Sequence, residues 1–98
     1  MPFLIDTIDK EHTQALRLSL RDAHLDYLEE NKALLLACGA KLDDAGIKGS
    51  GSVYIVDVDT RREAEDFING DPFTKGGLFE SVTITRWRKA YLDGKNYL

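Results

Sequence analysis

The chain is poor in cysteine, proline and basic charge, and each shortage excludes something. Its one cysteine, Cys38, has no partner for an internal disulfide. With two histidines beside it, there are too few soft ligands for a structural zinc site. A lone thiol points to the reducing cytoplasm as the expected compartment. Only Pro2 and Pro72 interrupt the backbone, so the interior is free for regular elements. No apolar run approaches the roughly 20 residues of a membrane span; the longest, Leu34 to Cys38, is strand-sized. Met1 to Asp6 lacks the charged region and cleavage site of a secretory signal. Thirteen Lys and Arg stand against seventeen Asp and Glu, a net charge of −4, with a pI near 5.1. A duplex-binding domain is normally basic, so nucleic acid is not an expected partner. There is no internal repeat, low-complexity tract or linker, and no cofactor-binding motif, so no cofactor is expected.

What is present is an ordinary globular balance, 43% hydrophobic and 31% charged, over 98 residues. That length suits a single domain, residues 1–98, with one core and one modest site. Phe3 to Asp9 alternates as a first strand, with Phe3, Ile5 and Thr7 on one face and Leu4, Asp6 and Ile8 on the other. Two starts compete for the first helix. Thr13 is one cap; Ser19, followed by Asp22 three residues later, resembles a capping box. The second is favoured, giving a helix over Leu20 to Asn31 with a stripe of Leu20, Ala23, His24, Tyr27 and Leu28. Leu34 to Leu42 reads as a second strand, Asp43 to Gly51 as a loop and Ser52 to Val58 as a third strand. Thr60 with Glu63 is a capping box that opens a helix over Arg61 to Asn69. Asp71-Pro72-Phe73 turns the chain, Phe79 to Trp87 is a fourth strand, and Lys89 to Leu98 forms a tail outside the core.

The order strand, helix, strand, strand, helix, strand is the ferredoxin-like split βαβ pattern (βαββαβ), an α+β fold. It predicts an antiparallel four-stranded sheet with both helices on one face. The other face carries apolar groups in any register, and a face of that kind needs cover. A second copy, sheet against sheet, is the economical cover, so a homodimer is expected.

Four features are left for chemistry: His24 on the helix stripe, Asp71 before Pro72, the Lys48–Ser52 loop with Ser50, and Arg21 beside His24. A histidine and an aspartate in hydrogen-bond reach form a general acid–base unit, because the carboxylate fixes the tautomer and raises the basicity of the other ring nitrogen. Each residue also has a plain structural role open to it. His24 suits a core or rim histidine, Asp71 a turn former and Ser50 a hairpin loop. Arg21 suits an exposed ion pair with Asp22, Asp26 or Glu65. Cys38 reads as a small buried apolar group, and His12 as exposed.

The segment Arg21-Asp22-Ala23-His24-Leu25-Asp26-Tyr27-Leu28 resembles the Arg-x-x-His-Leu-x-x-Leu stretch of YciI-like (YCII-related) proteins. Leu35 to Ala40 is similar to their second-strand segment, with Ala40 where the family usually carries proline. Gly51 to Val56 is similar to their third strand. Asn69-Gly70-Asp71-Pro72-Phe73 resembles their Asp-Pro-aromatic turn, and Gly77-Leu78-Phe79 the entry to their last strand. The likeness runs to about Trp87 and leaves residues 89–98 outside it. It implies a dimeric α/β barrel with His24 and Asp71 in one pocket as a catalytic dyad. The wider superfamily holds isomerases, lyases and cofactor-free oxygenases of ring compounds.

The expected function is therefore a homodimeric small-molecule enzyme, of lyase or isomerase type, transferring a proton on a small cyclic or carbonyl compound. His24 is the acid or base and Asp71 its orienting partner; Arg21, Ser50 and Phe73 shape or polarise the pocket; no metal takes part. The alternative is a non-catalytic small-molecule-binding or accessory homodimer with the same pocket. RNA binding on the sheet is a third reading, and the acidic balance and lack of an aromatic RNA-binding motif argue against it.

Overall fold

Strand β1 (Phe3–Asp9) runs through the interior of the sheet in the computed structural model, which describes residues 1–98. Helix α1 (Gln14–Glu30), a 3-10 turn (Lys32–Leu34), β2 (Leu35–Leu42) and β3 (Gly49–Val56) follow, then α2 (Arg61–Gly70), the single turn α3 (Pro72–Lys75) and β4 (Phe79–Arg86). The sheet order is β2-β3-β1-β4, and every neighbouring pair is antiparallel. This is the expected α+β, ferredoxin-like split βαβ arrangement.

The period-two pattern of β1 decides which face the helices cover. Phe3, Ile5 and Thr7 are buried and stand opposite Val56, Tyr54 and Ser52 of β3. Phe3, Ile5, Tyr54, Val56 and Val58 then pack with Ala64, Phe67 and Ile68 as one core. Each large apolar side chain there contributes about 1.5–3 kcal/mol by leaving water. Leu4, Val53 and Ile55 point to the helix-free face and are half-buried, while Ile8 stays exposed. That face also carries the ion pair Lys41 Nζ–Asp6 Oδ1 at 2.8 Å.

Helix α1 corrects the favoured reading of its start. It begins at Gln14, six residues before Leu20, with Thr13 as cap residue. The Ser19 hydroxyl donates to Leu16 O inside the helix and caps nothing. Residues 14–19 join because Leu16 and Arg17 extend the inward stripe through Leu20, His24, Tyr27 and Leu28, whereas Ala23 faces solvent. Tertiary packing thus outweighs the local cap signal. Tyr27 docks α1 on α2 by donating its hydroxyl to Phe67 O at 2.7 Å. A side chain at Gly70 would strike that hydroxyl, which accounts for glycine in the last turn of α2.

The Thr60–Glu63 capping box forms as read. Strand β3 starts at Gly49, three residues earlier than expected, because its ladder with β2 continues through Lys41↔Gly51 and Leu42↔Gly49 across an irregularity. The tail, residues 89–98, holds secondary structure of its own. Tyr91–Leu92 pairs with Lys95–Asn96 as a hairpin, and Asp93 and Gly94 supply the two positive φ angles of 52° and 75° that a two-residue turn requires. No helix is long and apolar enough to cross a membrane.

Candidate active site

Asp71 sits where α2 ends and α3 begins, and the local sequence fixes its carboxylate. Pro72 takes the first helical position of α3, where a missing N–H costs nothing. The carboxylate accepts from Phe73 N at 2.9 Å, the usual role of an aspartate at a helix start. Two more donors converge on it. Tyr54 Oη donates to Oδ2 at 2.9 Å, and His24 Nδ1 lies 2.9 Å from both Oδ1 and Oδ2. Asp71 is fully buried, and its three donors meet the requirement that a buried charge be bonded.

His24 is the one buried residue of α1. Its Nδ1 faces two carboxylate oxygens and so carries the proton, which leaves the lone pair of the neutral ring on Nε2. Nε2 makes no hydrogen bond within the protein, and the residue lines a hollow of about 410 Å³ between α1 and β2–β3. The imidazole stacks on Phe73, with centroids 3.8 Å apart and planes 11° from parallel. Phe73 is held edge-on by Phe79 at 6.0 Å. The ring is therefore fixed by packing on its face and by charge at one nitrogen, with the other nitrogen presented to the hollow.

The buried carboxylate also acts on its neighbours. Burial first, and then the Asp71 charge and hydrogen bond, push the Tyr54 phenol far above its ordinary value of 10.0. Although the residue is open to solvent, the walls of the hollow partly desolvate the Cys38 thiol, and this, with the Asp71 charge adding to it, pushes the thiol up to about 11. Cys38 is not the buried apolar group expected: it lies exposed on edge strand β2 and lines the hollow.

Of the residues read as site candidates, His24, Asp71 and Phe73 meet at one point. Arg21 is exposed, lines the hollow and makes no ion pair, so the surface pairing open to it does not form. Ser50 is corrected: it is exposed and absent from the lining, because it falls at the irregularity between Lys41↔Gly51 and Leu42↔Gly49. Ser52, two residues on, is buried in the lining instead.

Arg17 lines the hollow as well, although its position in the sequence does not single it out. Its Nη1 donates to Asp9 Oδ2 at 2.7 Å, and Nη2 to Gly51 O and Ser52 Oγ at 3.2 Å each. The guanidinium lies 4.8 Å from the Phe73 centroid, so Arg17 and His24 contact the same ring. A helix started at Gln14 would have found it, since Arg17 stands seven residues, two turns, before His24. No three His, Cys, Asp or Glu side chains converge as a metal site needs. The arrangement can accept a proton at Nε2 and return it, beside the fixed guanidinium of Arg17.

The model of the YCII-related domain matches residues 1–88. Protein YciI of Escherichia coli O6:H1 is 29% identical over 98 residues, covering 93% of this chain and all of that one. Protein YciI of Shigella flexneri matches with the same figures. Among solved structures, 5-chloro-2-hydroxyhydroquinone dehydrochlorinase (TftG) of Burkholderia phenoliruptrix AC1100, in complex with 2,5-dihydroxybenzoquinone, superposes with a TM-score of 0.84. It is 34% identical and covers 90% of this chain and 94% of its own.

Proposed function

The chain belongs to the YCII-related family, and from that premise we propose that it is a small-molecule enzyme moving a proton on a cyclic or carbonyl compound without a cofactor. The observation that carries this reading is the buried His24–Asp71 pair with a free Nε2 on a hollow large enough for one ring compound. His24 takes a proton from a carbon or hydroxyl of the substrate through Nε2. Asp71 holds the ring and stabilises the imidazolium that forms. In an elimination the bonding pair left behind forms the new double bond, and the leaving group departs with its own electrons; in an isomerisation the proton returns at another atom. Both are redox-neutral and need only a placed base. The dehydrochlorinase similarity favours elimination.

The reading takes residues 1–98 as one domain, with the hairpin after Trp87 as an addition, working in the cytoplasm. Two copies pair through the helix-free face, where Leu4, Val53 and Ile55 would leave water together. Light scattering should give twice 11.0 kDa. For the chemistry, chloride release from 5-chloro-2-hydroxyhydroquinone, and loss of the ring C–H signals of 2,5-dihydroxybenzoquinone in heavy water, are to be compared in the wild type and His24→Ala. The variant should be roughly 10²–10⁴-fold slower with its circular dichroism unchanged. Equal rates would remove the reading and leave a binding domain.

A further inference from the structure

The protein carries a net charge of −4, yet the charged groups lining the hollow are Arg17 and Arg21, beside His24. The nearby acids do not line the hollow: Asp9 is paired with Arg17 at 2.7 Å behind it. Asp71 lies behind the imidazole with its oxygens bonded. Asp43, in the loop that brings Ile47 to the hollow, spends its carboxylate on Ile47 N and Lys48 N. The wall of the hollow thus presents two arginines and no carboxylate, and although Asp9 offsets the charge of Arg17 from behind, the donors that face the hollow suit an anion.

Arg17 is built for more than its ion pair. Asp9, Gly51 and Ser52 take three of its five N–H groups. Nε–H and one Nη1–H bond nothing in the protein, although the side chain is only 12% exposed. A side chain on residue 49 would come within 2.8 Å of Nε, so Gly49 keeps that edge of the guanidinium clear. The free Nε–H, on a fixed, planar, permanently charged group, suits an oxyanion. Because Arg17 and His24 rest on the same Phe73 ring, one small molecule can touch both.

We propose that the hollow takes its ligand as an anion, a ring or carbonyl compound bearing a negatively charged oxygen, with Arg17 as the group that reads the charge. The proposal rests on the acid–base reading above and narrows its substrate class. The oxyanion accepts from Arg17 Nε–H while the reacting hydrogen faces His24 Nε2, and Arg21 adds charge at the rim.

The test is calorimetric titration with two probes. One is 2,5-dihydroxybenzoquinone, which carries ring oxyanions at neutral pH; the other is its uncharged dimethyl ether. The charged probe should bind about ten- to a hundredfold tighter, and added salt should weaken it alone. Arg17→Met strands Asp9, so the double variant Asp9→Asn/Arg17→Met is used, and it should erase most of the preference. Arg21→Gln, at the exposed rim, should lower it by a smaller factor. Equal affinity for the two probes, a preference retained in the double variant, or no binding of the charged probe would overturn the proposal. If preference is absent while His24-dependent proton exchange persists, only this inference fails; loss of that exchange brings down the acid–base reading itself.

Discussion

Arg17 and Asp9 form an ion pair 2.7 Å long whose side chains are 12% and 4% exposed. Removing one member strands the other, and Asp9 Oδ1 already lies buried without a partner. Arg17→Met should therefore destabilise the fold by about 3–5 kcal/mol. Asp9→Asn/Arg17→Met should regain much of that loss, because no charge is then left in the interior. Urea unfolding of the four members of the cycle measures the coupling; additive losses would show that the two residues act independently.

Asp71→Asn preserves size and an acceptor for Phe73 N, so α3 should still start at Pro72. The amide cannot supply the carboxylate's charge to the imidazole. Turnover should fall by roughly 10²–10⁴-fold, with a stability loss of about 1–3 kcal/mol. Nitrogen-15 shifts of His24 should show Nδ1 losing its fixed proton. Unchanged shifts and rate would mean that the short contact has no chemical role.

Tyr54 gives the fold a sensitivity to alkali. Its phenol titrates above 10.0 when folded and near 10.0 when unfolded. The folded state therefore keeps a proton that the unfolded chain releases. The contribution is full below pH 10 and is lost as pH rises beyond it, by about 1.4 kcal/mol per pH unit. Tyr54→Phe should start less stable by about 1.5–3 kcal/mol, from the lost bond to Asp71, and should decline less steeply above pH 10. Urea midpoints at pH 9, 10 and 11 check this; parallel curves would contradict it.

Cys38 should be a slow nucleophile. With its thiol raised from 9.0 to about 11, iodoacetamide at pH 8 should alkylate it about a hundredfold more slowly than a free thiol. The rate should climb about tenfold per pH unit until near pH 11. Asp71→Asn removes one cause of the shift and should speed the reaction. Mass spectrometry of timed quenches reads the rate, and a plateau near pH 9 would refute the shift.

Alternation in β1 and β3, the Thr60–Glu63 box and the six-element order carried the fold, because each is a local rule that the tertiary structure respects. The dyad was legible only in part. His24 on an apolar stripe and Asp71 before a proline are visible as types, and a family likeness brought them together; their 2.9 Å contact spans 47 residues and depends on helix docking. Arg17 was hidden by a local signal that lost: Ser19 and Asp22 look like a helix start, but burial of Leu16 and Arg17 extends the helix past it. Ser50 and Ser52 share a strand face by parity, and only the broken register between β2 and β3 tells them apart. The hairpin at Asp93-Gly94 follows a local rule too, since that dipeptide is a strong turn signal.

Asp71 closes α2, opens α3 and grips the imidazole with one carboxylate. The bend of the main chain and the aim of the base are consequently a single mechanical variable. A substitution that lets this side chain swivel also lets the corner relax, so a misaimed imidazole and a shifted loop should then appear together. Engineering a new specificity here is best begun at the hollow's rim, leaving that hinge-pin alone.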